Sequence, residues 1–186
     1  MKRILLYGLD EETANKAREL LLPQNISIHI IGDDVLDEKL SEVIEANSDF
    51  DGRHQEFEGD YLIFDGIELK EMVRLIIIMS QAGISLPGVK ISRTETNSGW
   101  TIRRLFKETL KEHRYTLKLV ELRQILMDCN SLDLSSLDSR TQKEFSKAAM
   151  EAYVAIKANG RASMDQVDHA YEGLIKCLER IPKLYN

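Results

Sequence analysis

The sequence predicts an α/β fold: a small four-stranded parallel sheet with flanking helices, followed by an all-α three-helix bundle. Three observations predict it. Up to about residue 100, short apolar runs closed by turn residues alternate with helical patterns. Those runs are almost continuously apolar, as in strands covered on both faces, rather than alternating between polar and apolar. Beyond Trp100 the strand signals stop, and apolar residues recur only at helical spacing.

Lys2 to Tyr7, closed by Gly8, is the first strand, and Ile26 to Ile31, closed by Gly32, is the second. Tyr61 to Phe64 ends at Asp65-Gly66, and Val89 to Ser92 follows the breaker Pro87-Gly88. Helical patterns fill the gaps. They are Asp10 to Leu22 with Ala14, Ala17, Leu20 and Leu21, and Leu36 to Ala46 with Leu40, Val43 and Ile44. The third is Ile67 to Ala82, with Leu69, Met72, Val73, Ile76 and Ile77. The segment from Asn47 to Asp60 is largely polar and reads as an exposed loop.

Thr101 to about Asn130 contains no proline or glycine, so it reads as one long helix or two abutting ones. Two further helices carry Phe145, Ala148, Ala152 and Ile156, and then Val167, Ala170, Tyr171, Leu174 and Leu178. The breaks between them are Asp133 to Asp138 and Asn159-Gly160. Three amphipathic helices with short loops make an antiparallel bundle. The expected division is therefore an α/β domain over 1–115 and a bundle over 116–186.

Charge and composition narrow the function classes. The 186 residues are 43% hydrophobic and 30% charged, with a net charge of −6. Residues 1–71 hold 18 acids and 7 bases, whereas 72–115 hold 3 acids and 8 bases. The longest apolar run, Leu75 to Met79, is far short of the roughly 20 residues of a membrane span. The N-terminal apolar stretch is too short for a secretory signal, so a cytoplasmic protein is expected, with no membrane partner. Cys129 and Cys177 read as ordinary thiols, and the histidines show no metal-ligand spacing. Arg103, Lys107, Lys111 and Arg114 share one helix face, but Glu108 and Glu112 interleave with them, so no nucleic-acid partner is expected.

At residues 61–114 the sequence resembles the uncharacterised bacterial family called domain of unknown function 3783. The residues concerned are Tyr61-Leu62-Ile63-Phe64, then Thr94, Asn97 and Trp100 at three-residue spacing, then Thr101, Leu105, Glu108, Leu110, Glu112 and His113. The resemblance implies a small α/β domain with no assigned activity. Residues 117–181 resemble the FIVAR module, a three-helix bundle typical of spacer regions. That likeness rests on Leu132-Asp133-Leu134-Ser135, Thr141, Phe145 and Ala162-Ser163-Met164-Asp165-Gln166-Val167-Asp168.

Candidate site residues follow from topology. In an open parallel sheet, ligands bind outside the strands' carboxyl ends, where strand order reverses. An order 2-1-3-4 brings Asp10, Glu11, Asp65 and Glu68 to that point, with Asp33, Asp34 and the Thr94-to-Trp100 loop nearby. Asp10, Asp33, Asp34 and Asp65 are then candidate ligands for Mg²⁺ or Ca²⁺. Asp65 and Thr94 also fit a receiver-like phosphoacceptor site, although paired aspartates after the first strand and a lysine on a fifth strand are lacking. The competing reading is that acids at strand-to-helix junctions are helix caps. Trp100 reads either as a partner-binding anchor or as a staple for the helix it opens. No cofactor is expected. The leading expectation is a non-enzymatic interaction or scaffold protein that binds a protein partner or itself. The alternative is a small-ligand or cation-dependent enzyme, or a receiver-like domain, working at the acidic strand ends.

Overall fold

The computed structural model describes residues 1–132, 134–135, 137–158 and 160–181. Asp133 and Asn159, both read as loop residues, lie outside the described residues. The chain divides into two compact units, Met1–Thr109 and Leu110–Asn186.

The first unit runs β1 (Lys2–Tyr7), α1 (Glu11–Leu21), β2 (Ile26–Ile30), α2 (Leu40–Ala46), β3 (Tyr61–Asp65), α3 (Leu69–Gln81), β4 (Val89–Ser92) and α4 (Glu95–Ser98). α5 (Ile102–Cys129) is one continuous helix that begins in this unit and ends in the second. The four expected strands form one sheet in the order β2-β1-β3-β4.

The sheet is not all-parallel. β1 pairs with β2 in parallel and β3 with β4 in parallel, but β1 and β3 are antiparallel, with Arg3 opposite Asp65 and Tyr7 opposite Tyr61. The reason lies in the polar segment 47–60. After α2 this segment returns to the carboxyl ends of β1 and β2, so β3 starts beside Tyr7 and runs the opposite way. Asp33 N–H donates to Arg53 O (2.7 Å) and Phe50 N–H to Ile30 O (3.0 Å), which ties the segment down like a strap. Gly32 lets it lie flat, because a Cβ there would stand 2.6 Å from Arg53 O. The segment is the expected exposed loop, and it is also hydrogen-bonded to the sheet's rim.

The result is two βαβ units, β1-α1-β2 and β3-α3-β4, joined head to tail. Period-two alternation sends Ile4, Leu6, Ile26, Ile28, Leu62 and Phe64 to one face, where they pack with Ala14, Ala17 and Leu21 of α1 and Met72, Leu75 and Met79 of α3. On the opposite face Tyr7 and Tyr61 are fully buried, and Phe106 of α5 stacks on Tyr61 with ring centroids 4.0 Å apart. Through these ring contacts the three buried aromatics anchor the start of α5 to the sheet.

α6 (Ser139–Lys157) and α7 (Met164–Leu178) complete the second unit. Ala148, Ala152, Ala155 and Ala170 let α6 and α7 approach closely, while α5 contributes Leu122 and Cys129 to the same core. Leu122, Phe145, Ala152, Val167 and Leu174 are buried, and Ile125, Ala149, Tyr171 and Leu178 pack at the margin. Burial raises the Cys129 thiol above its ordinary pKa, so it is an inert core residue.

The bundle core draws only on residues 115–181. A fragment covering 110–186 should therefore melt cooperatively by circular dichroism. In the full chain, Leu174→Ala should cost about 2–5 kcal/mol in a urea titration, through lost burial and a cavity among side chains that cannot collapse.

Candidate functional site

The antiparallel pairing of β1 and β3 sends the candidate residues to opposite edges of the sheet. Asp10, Asp33 and Asp34 follow the carboxyl ends of β1 and β2, while Asp65, Thr94, Asn97 and Trp100 follow those of β3 and β4. Tyr7 and Arg3 mark the two edges, and four residues of strand separate them by roughly 13 Å. One cation binding oxygens at about 2.0–2.6 Å cannot bridge Asp10 and Asp65 over that distance. Among the described residues, no group of three or more His, Cys, Asp or Glu side chains is arranged to hold a metal ion.

At the β1–β2 edge, Asp10 is the N-cap of α1. Its carboxylate accepts from the Thr13 amide (2.8 Å) and hydroxyl (2.7 Å), and these two bonds hold the carboxyl below its ordinary pKa. Asp33 and Asp34 cap no helix through their side chains. Asp33 accepts from Tyr7 Oη (2.6 Å) and from the Gln55 amide (2.7 Å), and Asp34 accepts from the Asp51 amide (3.3 Å). Asp49, which the sequence did not single out, accepts from the Ile30 amide (2.8 Å) and from Arg18 (2.5 Å). Three carboxylates thus fasten the strap.

A shallow cleft of about 530 Å³ opens beside the strap, lined by residues that include Leu9, Arg18, Asp49, Arg53 and His54. Its guanidinium groups are already engaged. Arg18 binds Ile28 O, Asn15 and Asp49, and Arg53 binds Asp51. Arg103, from the basic stripe of α5, clamps Asp37 and Glu56, the second of these within the strap.

The β3–β4 edge holds a second closed network. Asp65, 8% exposed, receives Arg93 Nη1 at 3.0 Å, and the same guanidinium donates to Ser98 Oγ. Thr94 and Asn97 form a reciprocal capping box around α4: Thr94 N–H donates to Asn97 Oδ1 (2.8 Å) and Asn97 N–H to Thr94 Oγ1 (3.2 Å). Asn97 Nδ2 also donates to Ser92 O, tying the box to β4. Trp100 is half-buried, with the Arg104 guanidinium 4.4 Å above its ring, and Thr101 Oγ1 accepts from the Arg104 amide. The Thr94, Asn97, Trp100, Thr101 spacing is therefore the physical joint between β4 and α5, with two caps and one stacked aromatic.

An exposed apolar row lies elsewhere, on α3. Leu69, Val73 and Ile77 of α3 are 67%, 49% and 52% exposed, although the helical pattern marked them as core. Met72, Leu75 and Met79 supply the buried face instead. The sequence signal was the excess: Leu75 to Met79 is apolar at every position, more than one sheet contact can cover.

Residues 60–116 match a family described as a domain of unknown function, DUF3783, so the match covers a little under a third of the chain and spans β3, α3, β4, α4 and the first half of α5. No curated protein and no solved structure matches the chain.

The strap makes a testable acid response. Burial alone would raise the Asp33 carboxyl, but hydrogen bonds from Tyr7 and Gln55 outweigh it and hold the pKa below its ordinary value. A lowered folded-state pKa means that the stabilisation is complete above about pH 3.9, the unfolded value, and is lost as pH falls through the folded one. Tyr7→Phe should cost about 1–3 kcal/mol at neutral pH, because it leaves polar groups of Asp33 and Phe57 unpaired. It should also flatten the loss of stability between neutral pH and pH 3, read from urea midpoints.

Proposed function

We propose that this chain is a non-enzymatic protein-interaction module and that the outward face of α3 is where a protein partner docks. One observation carries the reading: Leu69, Val73 and Ile77 stand exposed in a continuous i, i+4, i+8 row on a helix whose opposite face already satisfies the fold. Single exposed apolar residues are ordinary, but a continuous row along one helix is the usual mark of an interface. The candidate polar residues support the same reading, since Asp10, Asp33, Asp34, Asp65, Thr94 and Asn97 spend their side chains on caps and tethers.

The helical second unit fits a spacer or presenting role, in line with the likeness of residues 117–181 to the FIVAR module. The cytoplasm is the compartment we assign, supported by two free cysteines, Cys129 and Cys177.

The experiment is site-specific photocrosslinking in cells that naturally make the chain, with benzoylphenylalanine at position 73. A discrete protein adduct is expected, absent when the crosslinker sits at the exposed Glu45 and lost in Leu69→Ser combined with Ile77→Ser. That double variant should keep its stability within about 1 kcal/mol, since exposed side chains contribute little to folding. An adduct pattern identical at positions 73 and 45 would overturn the proposal.

A further inference from the structure

We infer that the face of α3 accepts an acidic amphipathic helix: a partner segment with an apolar stripe flanked by carboxylates. This rests on the docking role proposed for α3 and adds the chemistry of what docks there.

The ridge of Leu69, Val73 and Ile77 rises one residue per turn over roughly 12 Å of helix axis. Such a row fits the groove between neighbouring rows of a second helix, the commonest way that helices pack. Lys70 and Arg74 each follow a ridge residue, so both lie along the same flank of the ridge. Both are exposed, and neither forms an ion pair with a described residue. The one acid within α3, Glu71, is already bound to Lys2 at 2.5 Å. The flank therefore presents two unneutralised cations beside an apolar ridge, and carboxylates on the partner complement both.

The same charges argue against an antiparallel second copy and against a membrane. Two copies of α3 packed antiparallel would set the Lys70–Arg74 flank of one against the same flank of the other, like charge on like. Two bases also fall short of the four to eight that make a segment seek an anionic membrane.

Two synthetic peptides test the inference with the full chain: a helical peptide with a leucine stripe and glutamates on its flanks, and the same peptide with lysines there. In amide-resolved NMR titrations, the glutamate peptide should shift resonances of residues 69–81 and bind roughly ten-fold tighter than the lysine peptide. Combining Lys70→Glu with Arg74→Glu should reverse that preference without lowering the melting temperature, and high salt should narrow it. Equal affinity for both peptides, or shifts confined to other elements, would overturn the inference. So would a dimer in solution, or binding to phosphatidylserine vesicles, if Val73→Glu abolishes it. If the position-73 adduct persists while the peptides bind equally, protein docking stands and the acidic chemistry falls. If the adduct is also absent, both fall.

Discussion

Asp33 and Asp49 hold a polar strap across the carboxyl ends of β1 and β2, and much of the first unit follows from where that strap delivers the chain. In an ordinary parallel crossover, the helix after β2 would return the chain to the opposite edge, and β3 would run alongside β1. Here segment 47–60 climbs back, bonded by Asp33, Asp49 and Tyr7, and β3 enters beside Tyr7 in the reverse direction. Long-range hydrogen bonds from main-chain amides to carboxylates are strong enough to hold such a course, because they satisfy amides that the strap cannot pair with itself. The close approach at Gly32 is their steric counterpart.

That reversal decides the chemistry of each rim. A parallel sheet gathers the strand carboxyl ends on one edge, where acids and helix N-termini can converge on a ligand. The mixed sheet splits them, so each edge builds its own closed network: the Asp33 strap on one, and Arg93 with Asp65, Ser98 and the capping box on the other. Groups committed to folding in this way are poor candidates for binding, because any ligand must first displace a tether. The ridge of α3 carries no such commitment.

Local features were legible in the sequence because local spacing determines them. The four strands, the N-cap at Asp10 and the helical stretch after Trp100 stand close to where the pattern puts them, although the pattern left open whether that stretch is one helix or two. The bundle core was legible for the same reason, as each helix carries one stripe. Strand direction was not, since it depends on pairings such as Asp33 with Gln55, separated by 22 residues, and nothing in a polar segment's composition reveals what it will bond to. The face of α3 was ambiguous because the helix is apolar on two sides; Val73 and Met72 looked alike, and only the sheet chose between them. Thr94 and Asn97 lay between these cases: their spacing singled them out as ligand or interaction candidates, but the capping box they form shows only in their mutual hydrogen bonds.

The direction of β3 against β1 is the claim on which the separation of the two rims depends, and nuclear Overhauser contacts between the strands test it most directly. The account predicts cross-strand backbone contacts that link Tyr7 with Tyr61, Leu5 with Ile63 and Arg3 with Asp65, an antiparallel ladder. Contacts that instead run in parallel, bringing Arg3 towards Tyr61 and Tyr7 towards Asp65, would contradict it and reunite the acidic strand ends at one edge.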